Sequence, residues 1–169
     1  PGVTVKFDSG KVLIVEGTLV ARGTSTSTVT FTSSAASPEA GDWGYIKFED
    51  SSVDANFDGS GDYVNGSVME HCVVEYGGGV GVSNDVGAVL TDDASPFISN
   101  CTIRNSAASG VRIDPGTVFK FTNNTLDSNS RAGLAVTGDV SSSGGTVVTI
   151  SGNTVTDNRS AGGLPAGGI

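Results

Sequence analysis

The sequence predicts an all-β solenoid, a parallel β-helix in which one chain winds through short strands that stack rung upon rung. Three observations predict it. One short pattern recurs across residues 69–164, as His71-Cys72-Val73-Val74-Glu75, Asn100-Cys101-Thr102-Ile103-Arg104, Asn123-Asn124-Thr125-Leu126-Asp127 and Gly152-Asn153-Thr154-Val155-Thr156. The copies are offset by 29 residues from Cys72 to Cys101, 23 from Cys101 to Asn124 and 29 from Asn124 to Asn153. Nine residues beyond each of these positions stands a glycine (Gly81, Gly110, Gly133, Gly162), with Val82, Val111, Leu134 and Leu164 close behind. A repeat of that size marks an architecture in which each unit buries its apolar face only against its neighbours. The second observation is composition: 25 glycines and one Met, amid abundant Ser, Thr, Val and Asn, suit strands and turns. The third is that no stretch sustains a capped apolar period of about 3.6 residues, which leaves little room for helix.

The elements follow in order. Residues 1–22 hold three β runs, Val3-Thr4-Val5-Lys6-Phe7, Val12-Leu13-Ile14-Val15 and Thr18-Leu19-Val20-Ala21, punctuated by Gly10, Gly17 and Gly23. Three short strands joined by tight turns make one rung. Val29-Thr30-Phe31 starts the next rung, residues 33–41 form an excursion loop, and Trp43-Gly44-Tyr45-Ile46-Lys47-Phe48 returns to the sheet with Ile46 and Phe48 on one face. In the repeat, Val74, Ile103, Leu126 and Val155 align as one inward column, and Ile98, Phe121 and Ile150 as another. Asn124 stacks with Asn153 and Asn129 with Asn158 as ladders that hold turns. Glu75, Arg104 and Asp127 form an outward column of alternating charge, able to pair at rung spacing.

The opening motifs carry a resemblance. Pro1-Gly2-Val3, Gly17-Thr18-Leu19-Val20-Ala21-Arg22-Gly23-Thr24, Val29-Thr30-Phe31-Thr32-Ser33 and Gly41-Asp42-Trp43-Gly44-Tyr45-Ile46-Lys47-Phe48 resemble, in this order, the start of right-handed parallel β-helices of bacterial secreted and surface proteins. The later copies resemble the parallel β-helix repeat of the pectin-lyase-like superfamily. The resemblance covers nearly the whole chain and implies a single-stranded right-handed parallel β-helix of roughly six to seven rungs with excursion loops. The expected layout is one domain over 1–169: N-terminal rungs 1–50, an acidic insertion 51–67, and repeat rungs 68–169. The chain reads as a segment of a longer protein, and the resemblance implies a secreted or cell-surface setting. This fold hosts lyases, hydrolases, adhesins and inert stalks alike, so activity must be argued from side chains.

One stretch matches a metal-binding spacing. Asp54-Ala55-Asn56-Phe57-Asp58-Gly59-Ser60-Gly61-Asp62 follows the calcium-loop order D-x-N-x-D-G-x-x-D, in which oxygens at alternate positions point into one concave turn. Asp54, Asn56, Asp58, Ser60 and Asp62 are the expected Ca2+ ligands, with Glu49, Asp50 or Glu70 available to complete the shell. Asn65 stands where such a loop carries a bidentate Glu, so the expected ion is structural, locking the insertion. Cys72 and Cys101 fall in register one rung apart, close enough for a disulfide and equally suited to stacked buried thiols. His71 has no second His and no Cys-x-x-Cys partner, which leaves it a structural role.

Charge and pattern then sort the functions. A net charge of −9 argues against nucleic acid, which needs a basic stripe, and nothing approaches a membrane span. A non-catalytic structural or adhesive module, able to self-assemble into a stalk or filament, is the first reading. Its partners would be a polysaccharide, a cell-surface ligand or copies of itself. Trp43, Tyr45 and Tyr76, with Tyr63, are the candidate sugar platforms, although Trp43 is better placed to cover the core where the loop returns. The alternative is a carbohydrate-active enzyme, for which Asp92, Asp93, Asp114 and Asp127 with Arg112 are the candidate cluster, although they form no recognisable motif. An ice-binding threonine array is the third. Thr24, Thr26, Thr28, Thr30 and Thr32 suggest it, but they read as consecutive along one strand region and not in register between rungs.

Overall fold

The computed structural model describes residues 1–81, 86–137 and 147–159. The chain winds as a parallel β-helix. The first rung is β1 (Thr4–Phe7), β2 (Leu13–Val15) and β3 (Val20–Arg22). The second is β4 (Val29–Ser33) and β5 (Ile46–Phe48), then an excursion hairpin of β6 (Asn56–Phe57) and β7 (Tyr63–Asn65), then β8 (Val68–Glu70). The third is β9 (Cys72–Glu75), β10 (Gly87–Thr91) and β11 (Phe97–Ser99), and the fourth β12 (Thr102–Arg104), β13 (Ser109–Ile113) and β14 (Val118–Thr122). The fifth is β15 (Thr125–Asp127), β16 (Leu134–Val136) and β17 (Val147–Ser151), and β18 (Thr154–Thr156) begins a sixth. Five complete rungs and one further strand therefore lie within the described residues; Gly162 and Leu164 of the last copy, and Val82, lie outside them.

Three parallel sheets result, ordered β1-β4-β9-β12-β15-β18, β16-β13-β10-β5-β2 and β17-β14-β11-β8-β3. Short strands suffice because each pairs with the rungs above and below, at about 4.8 Å. The register makes the expected columns real: Val74, Ile103, Leu126 and Val155 are directly paired, with Val5 and Phe31 extending the column to the first rung. Ala21, Met69, Ile98, Phe121 and Ile150 form the second column, and Leu13, Ile46, Val89, Val111 and Leu134 the third. Ile46, Phe48, Met69, Val74, Ile98, Ile103, Phe121 and Leu126 are completely buried.

The corners between sheets repeat as well. His71, Asn100, Asn123 and Gly152 all take left-handed φ of 50°, 54°, 57° and 67°, and Tyr76, Asn105, Ser128 and Asp157 do the same one strand later, at 63°, 54°, 54° and 50°. One αL residue turns the chain from one sheet to the next, a position open to Asn and Gly at little steric cost. His71 is therefore a corner residue. Asn124 and Asn153, one place later, bond between rungs as the ladder expected of them. The recurring glycine has its own cause: a Cβ on Gly110 or Gly133 would come within 2.8 Å of the Asn129 or Asn158 amide nitrogen. These glycines make room for the second asparagine ladder.

Candidate functional site

The inner corner column Cys72-Cys101-Asn124-Asn153 is a continuous hydrogen-bond ladder. Asn124 Oδ1 accepts the Cys101 N–H at 2.9 Å, and Asn153 Oδ1 accepts the Asn124 N–H at 2.8 Å. Cys101 Sγ plays the same part for the Cys72 N–H at 3.4 Å. Each side chain also donates to the inward residue of an earlier rung: Cys72 to Ala21 O, Cys101 to Met69 O, Asn124 to Ile98 O and Asn153 to Phe121 O. Those four carbonyls belong to residues paired in sequence down one sheet. Both cysteines are free thiols and buried. Burial, with Cys72 alongside, holds the Cys101 thiol well above its ordinary value, so it stays protonated and able to donate. Of the two readings left open for this pair, the thiol stack is the one seen. Ellman's reagent is expected to find no reactive thiol in the native protein and both after denaturation without reductant. No thiol after denaturation would mean a disulfide.

The acidic stretch is a hairpin closed by protein groups. Strands β6 and β7 pair antiparallel. Asp58 Oδ1 accepts the backbone N–H groups of Ser60 and Asp62, each at 2.9 Å, which keeps its carboxyl below the ordinary range. Asn56 Nδ2 donates to Asn65 Oδ1 at 3.0 Å. Asp54 turns toward the rungs, taking the Ser95 N–H at 2.7 Å and the Thr117 hydroxyl at 2.9 Å. Ser60 and Asp62 are exposed at the tip. Among the described residues no three His, Cys, Asp or Glu side chains group as metal ligands. In this arrangement the Asp54 carboxylate docks the hairpin and the Asp58 carboxylate shapes its turn.

Aromatic packing fixes that docking. Phe97 on β11 meets Phe57 edge-on at 5.4 Å and stacks with Tyr63 at 6.0 Å. Lys120 Nζ lies 3.9 Å from the Phe57 ring centre and donates to Gly61 O at 2.8 Å, while the Arg22 guanidinium lies 5.4 Å over Tyr63. Tyr63 is thereby occupied. Trp43 is a correction to the sugar-platform reading: it is 0% exposed, stacks on Phe7 at 4.3 Å and donates Nε1–H to Glu75 O at 2.9 Å. It covers the core where the loop returns. Tyr76 packs against the core as a corner residue, and Tyr45 is half-buried at the entry to β5.

The outward face of the six-stranded sheet carries two columns. Thr4, Thr30, Val73, Thr102, Thr125 and Thr154 are paired in register, so threonines do recur from rung to rung, contrary to the sequence expectation. The signal was present in the repeat itself, one place after Cys101, Asn124 and Asn153. The adjacent column is mixed: Lys6, Thr32, Glu75, Arg104, Asp127 and Thr156. Arg104 pairs with Glu75 at 2.7 Å, and Glu75 also takes the Thr32 hydroxyl at 3.0 Å. Asp127 accepts from the Thr156 hydroxyl at 2.8 Å in place of Arg104. The threonine array is one column wide.

The second sheet brings charges together that sequence reasoning kept apart. Lys47 on β5 donates to Glu49 at 2.9 Å and to Asp92 at 2.7 Å. Asp92 follows β10, and register places it beside Glu49; the sequence offered both as candidates for other roles but not their pairing with Lys47, because pairing across 45 residues has no local signature. The Lys47 hydrogen bond, with Lys47 and Arg112 charge adding, lowers the Asp92 carboxyl below its usual value, and Asp92 then Glu49 raise Lys47. Lys47 and Asp92 are therefore both charged at neutral pH and poorly suited to proton transfer. Arg112 lies on β13 of the same sheet, Asp93 and Asp114 sit just beyond β10 and β13, and Asp127 belongs to a different sheet.

A family model described as a right handed beta helix region matches residues 19–168. No curated protein and no solved structure matches the chain.

Proposed function

The chain belongs to the right-handed β-helix family, and from that premise we propose a non-catalytic structural or adhesive module of a secreted or cell-surface protein. The observation that carries this reading is the register-locked ordering of its polar side chains: they run as ladders, corner residues and ion pairs through successive rungs. Among the described residues the carboxyls with displaced pKa values, Asp42, Asp58 and Asp92, are all displaced downward. Glycoside hydrolysis asks for the opposite, a carboxylic acid held protonated near neutral pH opposite a second carboxylate. Scaffold work suits this arrangement: a stiff rod whose outer faces present regular columns.

The test is a panel of acidic and neutral polysaccharides read for unsaturated products and new reducing ends, alongside co-sedimentation with the insoluble ones. Binding without turnover, or neither, is expected. Sustained product release would overturn the reading, and its loss in Lys47→Met would then place the chemistry at the Lys47–Glu49–Asp92 set.

A further inference from the structure

We propose that Arg112 is the receptor of an anion-binding site on the outward face of the β5–β10–β13 sheet, taking a carboxylate or similar oxyanion. The site goes beyond the scaffold reading and requires no catalysis. Register places Arg112 beside Leu90 and Ala135 in an outward row that continues from Leu90 to Lys47. Leu90, although it points away from the core, is only 6% exposed, so the row has an apolar, water-poor floor. The Arg112 Nε–H is buried there and has no hydrogen-bond partner. Leaving a guanidinium donor buried and unmet is unfavourable, and charged groups lose most.

The neighbouring acids do not relieve it. Asp92 is near enough for Arg112 to stabilise its charge, yet its carboxylate is held by Lys47 at 2.7 Å. Lys47 also holds Glu49, so both of these acids are already compensated. By contrast Arg22 and Arg104 each grip a glutamate, at 2.8 Å and 2.7 Å. Arg112 is thus a planar fork of donors, set over an apolar floor, with no acid of the described chain closing on it. A two-oxygen anion matches that fork: one oxygen meets Nε–H and the other a terminal N–H, in the side-on bidentate geometry that guanidinium groups favour.

The experiment follows the arginine Nε–H resonances of the 15N-labelled chain while sodium acetate, inorganic phosphate or sodium chloride is added at matched ionic strength. Arg112→Gln assigns the signal by its disappearance. Arg22 and Arg104, already paired, serve as internal references. The expected result is a saturable shift of the Arg112 signal at millimolar acetate or phosphate, with chloride ineffective and both references still. Whichever anion saturates first assigns the ligand as carboxylate- or phosphate-like. A shift that grows linearly with every salt, or one shared equally by Arg22 and Arg104, overturns the proposal. The melting temperature of Arg112→Gln, expected within a few degrees of the parent, keeps a folding defect from imitating lost binding.

Discussion

Replacing Asn129 with leucine is expected to destabilise the protein by about 2–5 kcal/mol, although the side chains are similar in size. Asn129 is completely buried. Its Oδ1 accepts the Ser106 N–H at 3.1 Å, and its Nδ2 donates to Ile103 O at 3.2 Å and to Asn158 Oδ1 at 2.8 Å. Leucine removes all three bonds and leaves the Ser106 amide facing hydrocarbon. It also adds carbon where the amide already limits Gly110 to a bare Cα. Asn153, which is only half-buried, should tolerate the same change at well under half the cost, since water can reach what the amide abandons. Urea unfolding of the two variants checks the pair. Equal losses would show that burial is not what makes the ladder matter.

Phe121→Ala is expected to cost about 3–5 kcal/mol, the range for deleting a buried aromatic ring. Phe121 is fully buried, sits between Ile98 and Ile150 in one column, and has the Phe119 ring stacked at 6.3 Å. A rung cannot collapse into the void without breaking register with both neighbours, because parallel pairing fixes the spacing on either side. Solenoid units are coupled chiefly to their nearest neighbours. Amide exchange should therefore accelerate most in β11, β14 and β17 and least in β1 and β2. A loss below about 1 kcal/mol would indicate a column loose enough to repack.

Much of the fold was legible in the residues because a stacked repeat writes its contacts into its period. Val74, Ile103, Leu126 and Val155 occupy equivalent places in the motif, and equivalence in a solenoid means contact. The same logic placed Cys72 beside Cys101 and Asn129 beside Asn158. The acidic stretch is less legible, because the spacing of Asp54, Asn56, Asp58 and Asp62 has two physical meanings. Alternate oxygens can surround a cation, or an aspartate can close a hairpin turn with its own backbone. The hairpin itself is docked through Phe97, Thr117 and Lys120, none of them near it in sequence. Trp43 stood between two readings for a similar reason: exposure depends on what Phe7 and Glu75 do beneath it.

By itself, then, the sequence determined the architecture: a parallel β-helix, its inward columns and its two asparagine ladders. Apolar and polar residues recurring at one period can be satisfied together only by stacking. Tertiary structure alone decided what the interruptions do. It folded residues 54–65 onto an aromatic patch, joined Lys47 to Asp92, and set Arg112 on the outer sheet without an acid of its own. Those outcomes hang on register between distant strands and on which of several acids reaches a given cation first. Pair distances and burial settle such competition, and no local pattern of residues records it.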